Sequence, residues 1–371
     1  MKTEKAVYVT RPSLPPLQDY CEFLKKIWES KYITNNGPLL QEFEKKLSEY
    51  LKVKYISVVS NGTLALLIAL KALEVGGEVI TSPFSFIATT NAIRWCGLKP
   101  VFADIEKDGY NLDPNSIEAA ITVNTSAILP IHVYGNPCNV KKITDIAARH
   151  GLKVLYDAAH CYGVNHGTKS IIEFGDMSIL SFHATKTFNT IEGGAIVSRT
   201  AQMKAKVDQL RNFGYDDNGE VQVSGINAKL NELQAAYGLL QLRDVNKHIF
   251  GRKKIDEMYR RELASVPGIK LLNIKGEVKH NYTYFPIQVE EETYGVSRDV
   301  IYERLKSKGV YSRKYFFPLI SNTGEYKDLP SAAIDNLPVA NDVAEQVLCL
   351  PIYDGLTIME QRRIINTLKG K

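Results

Sequence analysis

The most informative stretch of the sequence is Ser181-Phe182-His183-Ala184-Thr185-Lys186-Thr187-Phe188-Asn189-Thr190-Ile191-Glu192-Gly193-Gly194-Ala195. A strand over 177–182 is predicted to run into a turn that carries one lysine. Gly193-Gly194 then permits a tight bend before a second strand, 195–197. A lysine that forms a Schiff base needs this setting, with a fixed position at a sheet edge and space for a planar ring. Because most loop lysines are simply solvated, Lys186 must be weighed together with partners elsewhere.

A first partner is Asp157, which follows the apolar strand Val154-Leu155-Tyr156. A carboxylate at this position could keep a pyridine nitrogen protonated, which makes the ring an electron sink. The alternative is a helix N-cap, the ordinary role of an isolated aspartate after a strand. The sequence alone leaves both interpretations open.

Two further partners precede Asp157 in the chain. At Ser60-Asn61-Gly62-Thr63 a strand gives way to a helix, whose first N–H groups and dipole would hold a phosphate. Simple helix capping is the alternative there. Phe86 could stack on a cofactor ring, although most such phenylalanines belong to the core. Each signal is weak alone, and their order and spacing together indicate a cofactor site.

The arrangement of the predicted elements indicates the fold class. From about residue 40 to 200, short β-branched runs alternate with amphipathic helical patterns, which predicts an α/β fold with a mostly parallel sheet and helices on both faces. Ligands of such sheets gather beyond the carboxyl ends of the strands. Two helices, 228–243 and 247–264, are predicted next, followed by a mixed α+β segment. We therefore predict a large domain over 1–245 and a smaller one over 246–371.

Composition limits which binding partners and which cellular compartment are expected. The 46 basic and 41 acidic residues are interspersed and give a net charge of +5, so a nucleic-acid partner is not expected. The five cysteines are scattered without CxxC spacing, which indicates neither a disulfide framework nor a metal site. No apolar stretch of membrane-spanning or signal-peptide length is present in the sequence, so a membrane association is not expected. A cytoplasmic protein with reduced thiols is the simplest interpretation.

Taken in order, these motifs resemble the DegT/DnrJ/EryC1/StrS family of nucleotide-sugar aminotransferases. The similarity runs from 32–38 to 350–357, and Ser-Phe-His-Ala-Thr-Lys followed by Glu-Gly-Gly is highly specific for the family. The resemblance implies the PLP-dependent fold-type I architecture, which is that of aspartate aminotransferase. It has a large domain with a mostly parallel sheet and a smaller α+β C-terminal domain. It also implies pyridoxal 5'-phosphate (PLP) as the cofactor.

The resemblance also assigns roles to residues. Lys186 is expected to form the Schiff base and Asp157 to pair with the pyridine nitrogen. His160 lies where the family often places a histidine or glutamine near the ring hydroxyl, and a hydrogen-bonded helix histidine is the alternative. Further cofactor contacts are expected from Phe86, which stacks on the ring, and from Gly62, Thr63 and Ser181, which bind the phosphate.

A homodimer is a further expectation from the resemblance. The stretch 225–232 is similar to the family segment whose asparagine, here Asn227, reaches the cofactor phosphate of the neighbouring subunit. Each site would then be complete only in the dimer. Asn227 would equally suit the N-cap of the following helix.

The resemblance also bears on the reaction and the substrate. Related sugar 3-dehydratases carry histidine at the position of Lys186, so the lysine favours transamination, with L-glutamate as the expected donor. The stretch 7–17 looks like the subgroup that aminates C4 of dTDP-4-keto-6-deoxyglucose, a product destined for O-antigen lipopolysaccharide. Arg313, Lys314 and Tyr315 are candidates for the substrate diphosphate, with a solvated face as the alternative.

Three rival functions stay open on the sequence. C3 keto-sugar aminotransferases share the same catalytic residues, and a PLP-dependent sugar dehydratase of the same family is the second. The third is a regulatory or binding protein that kept the fold and lost the chemistry. Such a protein would be expected to lack Lys186 or Asp157, and both are present.

Overall fold

The computed structural model describes residues 6–274 and 276–370, in which fifteen strands and twelve α-helices are found. The strands are β1 Val7–Tyr8, β2 Tyr55–Val59, β3 Glu78–Thr81, β4 Lys99–Phe102, β5 Thr125–Leu129, β6 Lys153–Asp157, β7 Asn165–His166, β8 Lys169–Ser170, β9 Met177–Ser181, β10 Gly194–Ser198, β11 Ile269–Leu271, β12 Val278–Lys279, β13 Phe285–Val289, β14 Val310–Tyr311 and β15 Val347–Leu350. The helices are α1 Leu17–Ser30, α2 Pro38–Leu51, α3 Gly62–Ala72, α4 Ala88–Trp95, α5 Pro114–Ala119, α6 Val140–His150, α7 Ala201–Leu210, α8 Glu232–Leu263, α9 Glu291–Tyr294, α10 Arg298–Ser307, α11 Pro338–Gln346 and α12 Ile358–Leu368.

A seven-stranded sheet forms the centre of the structure, in the order β2-β10-β9-β6-β5-β3-β4. Only β10 runs antiparallel to its neighbours among these strands, and the predicted mostly parallel sheet is therefore confirmed. Because β10 runs in the opposite direction, it begins where β2 and β9 end. Gly194, its first residue, is paired with Val59 on one side and with Ser181 on the other.

Helices cover both faces of this sheet, as the alternating pattern predicted. In β6, Val154 and Tyr156 pack into one buried cluster with α2, α6 and the first part of α8. Leu155, which points to the opposite face, packs with α3, α4 and α7. Strands buried on both faces read as continuous apolar runs, which is how the central strands appear in the sequence.

A second, antiparallel sheet, β11-β13-β15, lies in the C-terminal part. The later turns of α8, together with α10 and α12, pack on it in a separate buried cluster. The amino-terminal β1 also joins this part of the protein, because it pairs with β14. The predicted boundary at residue 245 lies inside α8, and the division into 1–245 and 246–371 stays a prediction.

Helix α8 corrects one expectation from the sequence. The two helices predicted over 228–243 and 247–264 are a single helix of 32 residues. Residues 244–246 contain neither proline nor glycine, and Val245 is buried, so nothing interrupts the helix there. None of the helices in residues 6–274 and 276–370 is long and apolar enough to cross a membrane.

The first residue of α8 also caps another helix. Glu232 is 1% exposed, and its carboxylate accepts the N–H groups of Leu39 and Leu40, each at 2.9 Å. These are among the first N–H groups of α2, whose own N-cap, Gly37, has no side chain to accept them. A Cβ at Gly37 would lie 2.5 Å from the Glu232 carboxyl carbon, so this close packing requires glycine.

We expect Glu232→Ala to lower the free energy of unfolding by about 3 kcal/mol, because the buried N–H of Leu40 and the partly buried N–H of Leu39 lose their acceptor. Urea denaturation followed by circular dichroism measures this. Glu49→Ala, which removes an exposed glutamate of α2, is the control and should change stability by less than about 0.5 kcal/mol. Equal stability of the two variants would show that Glu232 does not hold the start of α2.

Candidate active site

A cavity of about 720 Å³ opens beyond the carboxyl ends of β2, β6 and β9. Eight of the residues predicted for the site line it: Gly62, Thr63, Phe86, Asp157, His160, Ser181, Lys186 and Tyr315. Other lining residues include Ser85, Thr89, His183, Thr185, Glu192, Tyr284 and Phe316. The structure thus gathers residues far apart in sequence at one edge of the parallel sheet, where ligands of such sheets bind.

One end of the cavity is suited to an anion. Helix α3 begins at Gly62, and the side chain of Asn61 caps it by accepting the N–H of Leu64 at 2.8 Å. The N–H groups of Gly62 and Thr63 precede that bond, and as the first two of the helix they have no acceptor within it. Capping and anion binding therefore coexist here, because a different residue performs the capping.

The backbone packs very closely beside this helix start. A Cβ on Gly62 would lie 3.0 Å from the Cβ of Ser181. A Cβ on Gly194 would lie 2.8 Å from the carbonyl oxygen of Asn61 and 2.9 Å from the nitrogen of Gly62. The glycines let the ends of β2 and β9 and the start of β10 come close enough for the Ser181 hydroxyl to join the two free N–H groups. A phosphate fits this set of donors.

Asp157 ends β6 in the wall of the cavity. One oxygen of its carboxylate accepts the Thr89 hydroxyl at 2.8 Å, and the other accepts the N–H of Ala159 at 3.0 Å. Burial raises the pKa of this carboxyl, while both hydrogen bonds and the charge of Lys186 oppose the rise. Residues 158–163, all within the described range, form turns rather than the start of a helix, so the N-cap alternative is wrong.

Lys186 lies in the same cavity, partly buried, with its Nζ 5.9 Å from the centroid of the Tyr284 ring. Burial lowers the pKa of this amine, and the carboxylate of Asp157 opposes the shift. Since each group affects the pKa of the other, the amine and the carboxylate interact, and both line the same cavity.

His160 is buried beside Lys186. Its Nδ1 accepts the N–H of Tyr134 at 3.1 Å, and its ring packs edge-on against Tyr284. Burial lowers the pKa of His160 well below its usual value, and the nearby Lys186 adds to this. The residue is hydrogen-bonded, as the alternative supposed, but it lies in a turn that lines the cavity rather than in a helix.

Phe86 and Phe84 have opposite environments although they are two residues apart. Phe84 is fully buried among aromatic side chains of the core. Phe86 is 60% exposed and lines the cavity, so the core alternative for this residue is wrong. Its ring is available to cover one face of a planar ligand.

Three predicted residues lie away from the cavity lining in this chain. Lys314 forms an ion pair with Asp299 at 2.7 Å, and Arg313 is exposed while its backbone pairs with Cys349. Asn227 is exposed as well. It is not the N-cap of α8, because that role belongs to Asn231, whose side chain accepts the N–H of Gln234 at 2.9 Å.

Sequence reasoning missed several residues of the lining. Ser85 and Thr89 flank Phe86 at spacings that bring them together at the entry to α4, which is a signal the sequence did contain. Tyr284 and Phe316 come from the C-terminal part. No local pattern predicts that they reach a sheet edge whose residues lie more than 100 positions earlier in the chain. His183, noted in the sequence, bonds through Nδ1 to the Thr185 hydroxyl at 2.8 Å.

The chain matches the DegT/DnrJ/EryC1/StrS aminotransferase family over residues 18–369. The protein belongs to this family. It is 49% identical over 369 residues to dTDP-4-amino-4,6-dideoxy-D-glucose transaminase of Escherichia coli, with 99% of each chain covered. The transaminase of the same name from Shigella dysenteriae is 45% identical, with 99% of each chain covered.

Solved structures agree with this membership. The crystal structure of DesI with its TDP-sugar product superposes with a TM-score of 0.94 at 35% identity, covering 99% of this chain and 93% of that one. NtdA of Bacillus subtilis, solved with bound cofactor PMP, has a TM-score of 0.86 at 32% identity and covers 95% of this chain and 81% of that one. The fold-type I architecture, the aminotransferase class and the pyridoxal phosphate cofactor predicted from the sequence are confirmed.

We expect Gly194→Ala to weaken pyridoxal phosphate binding at least tenfold, because the added methyl group would push the Asn61–Gly62 peptide away from β10 and displace the N–H groups of the anion site. Equilibrium dialysis of the cofactor against the apoprotein measures the affinity. Gly76→Ala is the matched control, since a Cβ there meets no atom within 4 Å. Unchanged cofactor affinity in Gly194→Ala would contradict the requirement for close backbone contact.

Proposed function

We propose that this protein is a pyridoxal-phosphate-dependent aminotransferase that moves an amino group from L-glutamate to C4 of dTDP-4-keto-6-deoxyglucose. The observation that carries the proposal is the single cavity in which Lys186 and Asp157 interact beside the anion site of α3. The 49% identity to the Escherichia coli transaminase over 99% of both chains supports the choice of sugar and carbon. A cytoplasmic location stays a prediction from the sequence.

The cavity residues are suited to hold the cofactor at three points. The free N–H groups of Gly62 and Thr63, with the hydroxyl of Ser181, would bind the phosphate. Phe86 would cover one face of the ring, and Asp157 would bind the protonated ring nitrogen. When bound, pyridoxal phosphate supplies an electron-withdrawing ring that stabilises negative charge on the reacting carbon. The charge of Asp157 preserves that property by keeping the nitrogen protonated.

Lys186 would act twice. At rest its Nζ would hold the cofactor covalently, as its position in the β9–β10 turn allows. Once displaced by the amino donor, the free amine would take the proton from the α-carbon of L-glutamate and later deliver a proton to C4 of the sugar. Burial favours this base role, because it lowers the pKa of Lys186 and so increases the neutral fraction near neutral pH.

His160 would act as a neutral hydrogen-bond donor. Since its Nδ1 accepts the N–H of Tyr134, the proton of the neutral ring is assigned to Nε2. Burial and Lys186 both keep the ring neutral by lowering its pKa. An N–H that lies in the cavity wall suits a contact with the hydroxyl group of the cofactor ring.

The proposed substrate contacts lie on the stretch 313–315. Tyr315 lines the cavity, and burial raises its pKa while the Arg313 guanidinium opposes the rise. Arg313 does not line the cavity, but its positive charge lies two residues before Tyr315, which supports a contact with the substrate diphosphate. Lys314 would have to leave its ion pair with Asp299 to take part.

A panel assay tests the reaction and separates it from its rivals. We expect the protein with pyridoxal phosphate and L-glutamate to convert dTDP-4-keto-6-deoxyglucose to a 4-amino sugar, detected by NMR. 3-keto sugars and GDP-linked 4-keto sugars should be poor substrates. Lys186→Ala should lose on the order of 10³-fold or more in rate, whereas the exposed-lysine control Lys141→Ala should not. A 3-amino or dehydrated product, or turnover by Lys186→Ala, would refute the proposal.

We also propose a homodimer in which Asn227 completes the phosphate site of the partner subunit. The backbone of this segment pairs Asn227 with Asn212 and Ile226 with Phe213. Phe213, Tyr215 and Ile226 are all large apolar side chains exposed beside Asn227. An exposed apolar patch that adjoins an exposed asparagine supports a contact with a second copy.

Mixing Lys186→Ala subunits with Asn227→Ala subunits tests this arrangement, with each variant assayed alone as the reference. If Asn227 acts across the interface, a mixed dimer of Lys186→Ala and Asn227→Ala subunits contains one intact site. Co-refolding equal amounts should then restore about a quarter of the wild-type rate, since half of the dimers are mixed and each has one active site. If Asn227 acts within its own subunit, no intact site forms and the mixture stays inactive.

A further inference from the structure

A chain of hydroxyl groups leads from the cavity wall to Asp157. The Ser85 hydroxyl lies 3.0 Å from the Thr89 hydroxyl, which donates to the Asp157 carboxylate at 2.8 Å. All three side chains are buried. Ser85, Thr89 and Asp157 also line the same cavity, so the chain of hydrogen bonds ends where the cofactor nitrogen would lie.

The direction of these bonds follows from the number of hydrogens. A hydroxyl group has one hydrogen, and that of Thr89 is used on the carboxylate. Ser85 must therefore donate to Thr89. Together with the N–H of Ala159, the chain offers donors to both carboxylate oxygens, which favours the ionised form and fixes the plane of the group.

The same turn of chain also presents Phe86. Ser85 and Thr89 flank it, and the N–H of Thr89 donates to the carbonyl oxygen of Phe86 at 3.2 Å. Since the ring that would stack on the cofactor and the hydroxyl that holds the carboxylate share one turn, their relative positions are fixed by local backbone geometry. The entry to α4 therefore contributes to two of the proposed cofactor contacts.

We propose that Thr89, oriented by Ser85, is a positioning residue that holds the Asp157 carboxylate against the nitrogen of the cofactor ring. This inference rests on the proposed function, because it assumes a ring nitrogen beside Asp157. Its neighbour Thr90 provides a contrast. The Thr90 hydroxyl is also buried, but it has no hydrogen-bond partner among the described residues and does not line the cavity.

Binding of pyridoxamine 5'-phosphate to the apoprotein tests the proposal without turnover. This probe forms no covalent bond to Lys186, so calorimetry reports only the non-covalent contacts. We expect Thr89→Val to weaken binding on the order of tenfold to a hundredfold, since a hydrogen bond to a charged group is lost. Thr89→Ser keeps the hydroxyl and should bind within about threefold of wild type. Thr90→Val, the matched control with the same change in shape, should also bind the probe within about threefold of wild type.

A double-mutant cycle separates positioning from general damage to the fold. In an Asp157→Ala background there is no carboxylate to hold, so adding Thr89→Val should weaken binding by less than about twofold. An equally large effect in that background would overturn the proposal, and so would wild-type binding by Thr89→Val or an equal loss in Thr90→Val. Failure of the wild-type protein to bind the probe would instead overturn the cofactor assignment itself.

Discussion

The candidate active site depends on two ionisable groups of opposite charge that line one cavity, the buried carboxylate of Asp157 and the partly buried amine of Lys186. The amine of Lys186 and the carboxylate of Asp157 both lose hydration on burial, and each partly offsets the cost for the other. Without a partner, the buried carboxylate would tend to gain a proton and the amine would tend to lose one. In the proposed function a bound cofactor would resolve this conflict, because Asp157 would pair with the protonated ring nitrogen and Lys186 would hold the cofactor covalently. The charges of the cavity therefore suit a ligand with a cationic ring nitrogen and a carbonyl group, as in the proposed cofactor.

Sheet topology brings these groups together. Parallel strands place their carboxyl ends at one edge, so Asp157 at the end of β6 and Ser181 at the end of β9 are neighbours although 24 positions separate them in the sequence. The reversed strand β10 then brings its own beginning to the same edge. Small residues at this junction let three segments of backbone meet, and the N–H groups of α3 become accessible to an anion.

Much of this could be predicted from the sequence, because the informative signals were local. The alternation of strands and helices determined the layers, and Ser181–Ala195 contained a strand, a turn with one lysine and the two glycines that the structure requires. The prediction that was wrong also has a physical explanation. The two helices predicted over 228–243 and 247–264 are one, because residues 244–246 include no helix breaker and a buried Val245 keeps the helix continuous.

Other features had no local signal. Glu232 is an unremarkable helix residue until α2 is placed against it, and Tyr284 and Phe316 reach the cavity only through the packing of the C-terminal part. The roles of Asn227, Arg313 and Lys314 likewise rest on family resemblance rather than on contacts within one subunit. Contacts between segments that are distant in the sequence cannot be predicted from local residue patterns.

The position of β10 between β9 and β2 has a consequence for biosynthesis. Strand β2 is translated early, but β10, the strand that pairs with it in the seven-stranded sheet, lies more than one hundred positions later in the chain. During synthesis β2 therefore lacks this strand partner until β10 has left the ribosome. Pairing between strands so far apart in the sequence is slow. The nascent chain therefore becomes able to capture a coenzyme only late, when most of the large sheet has already emerged.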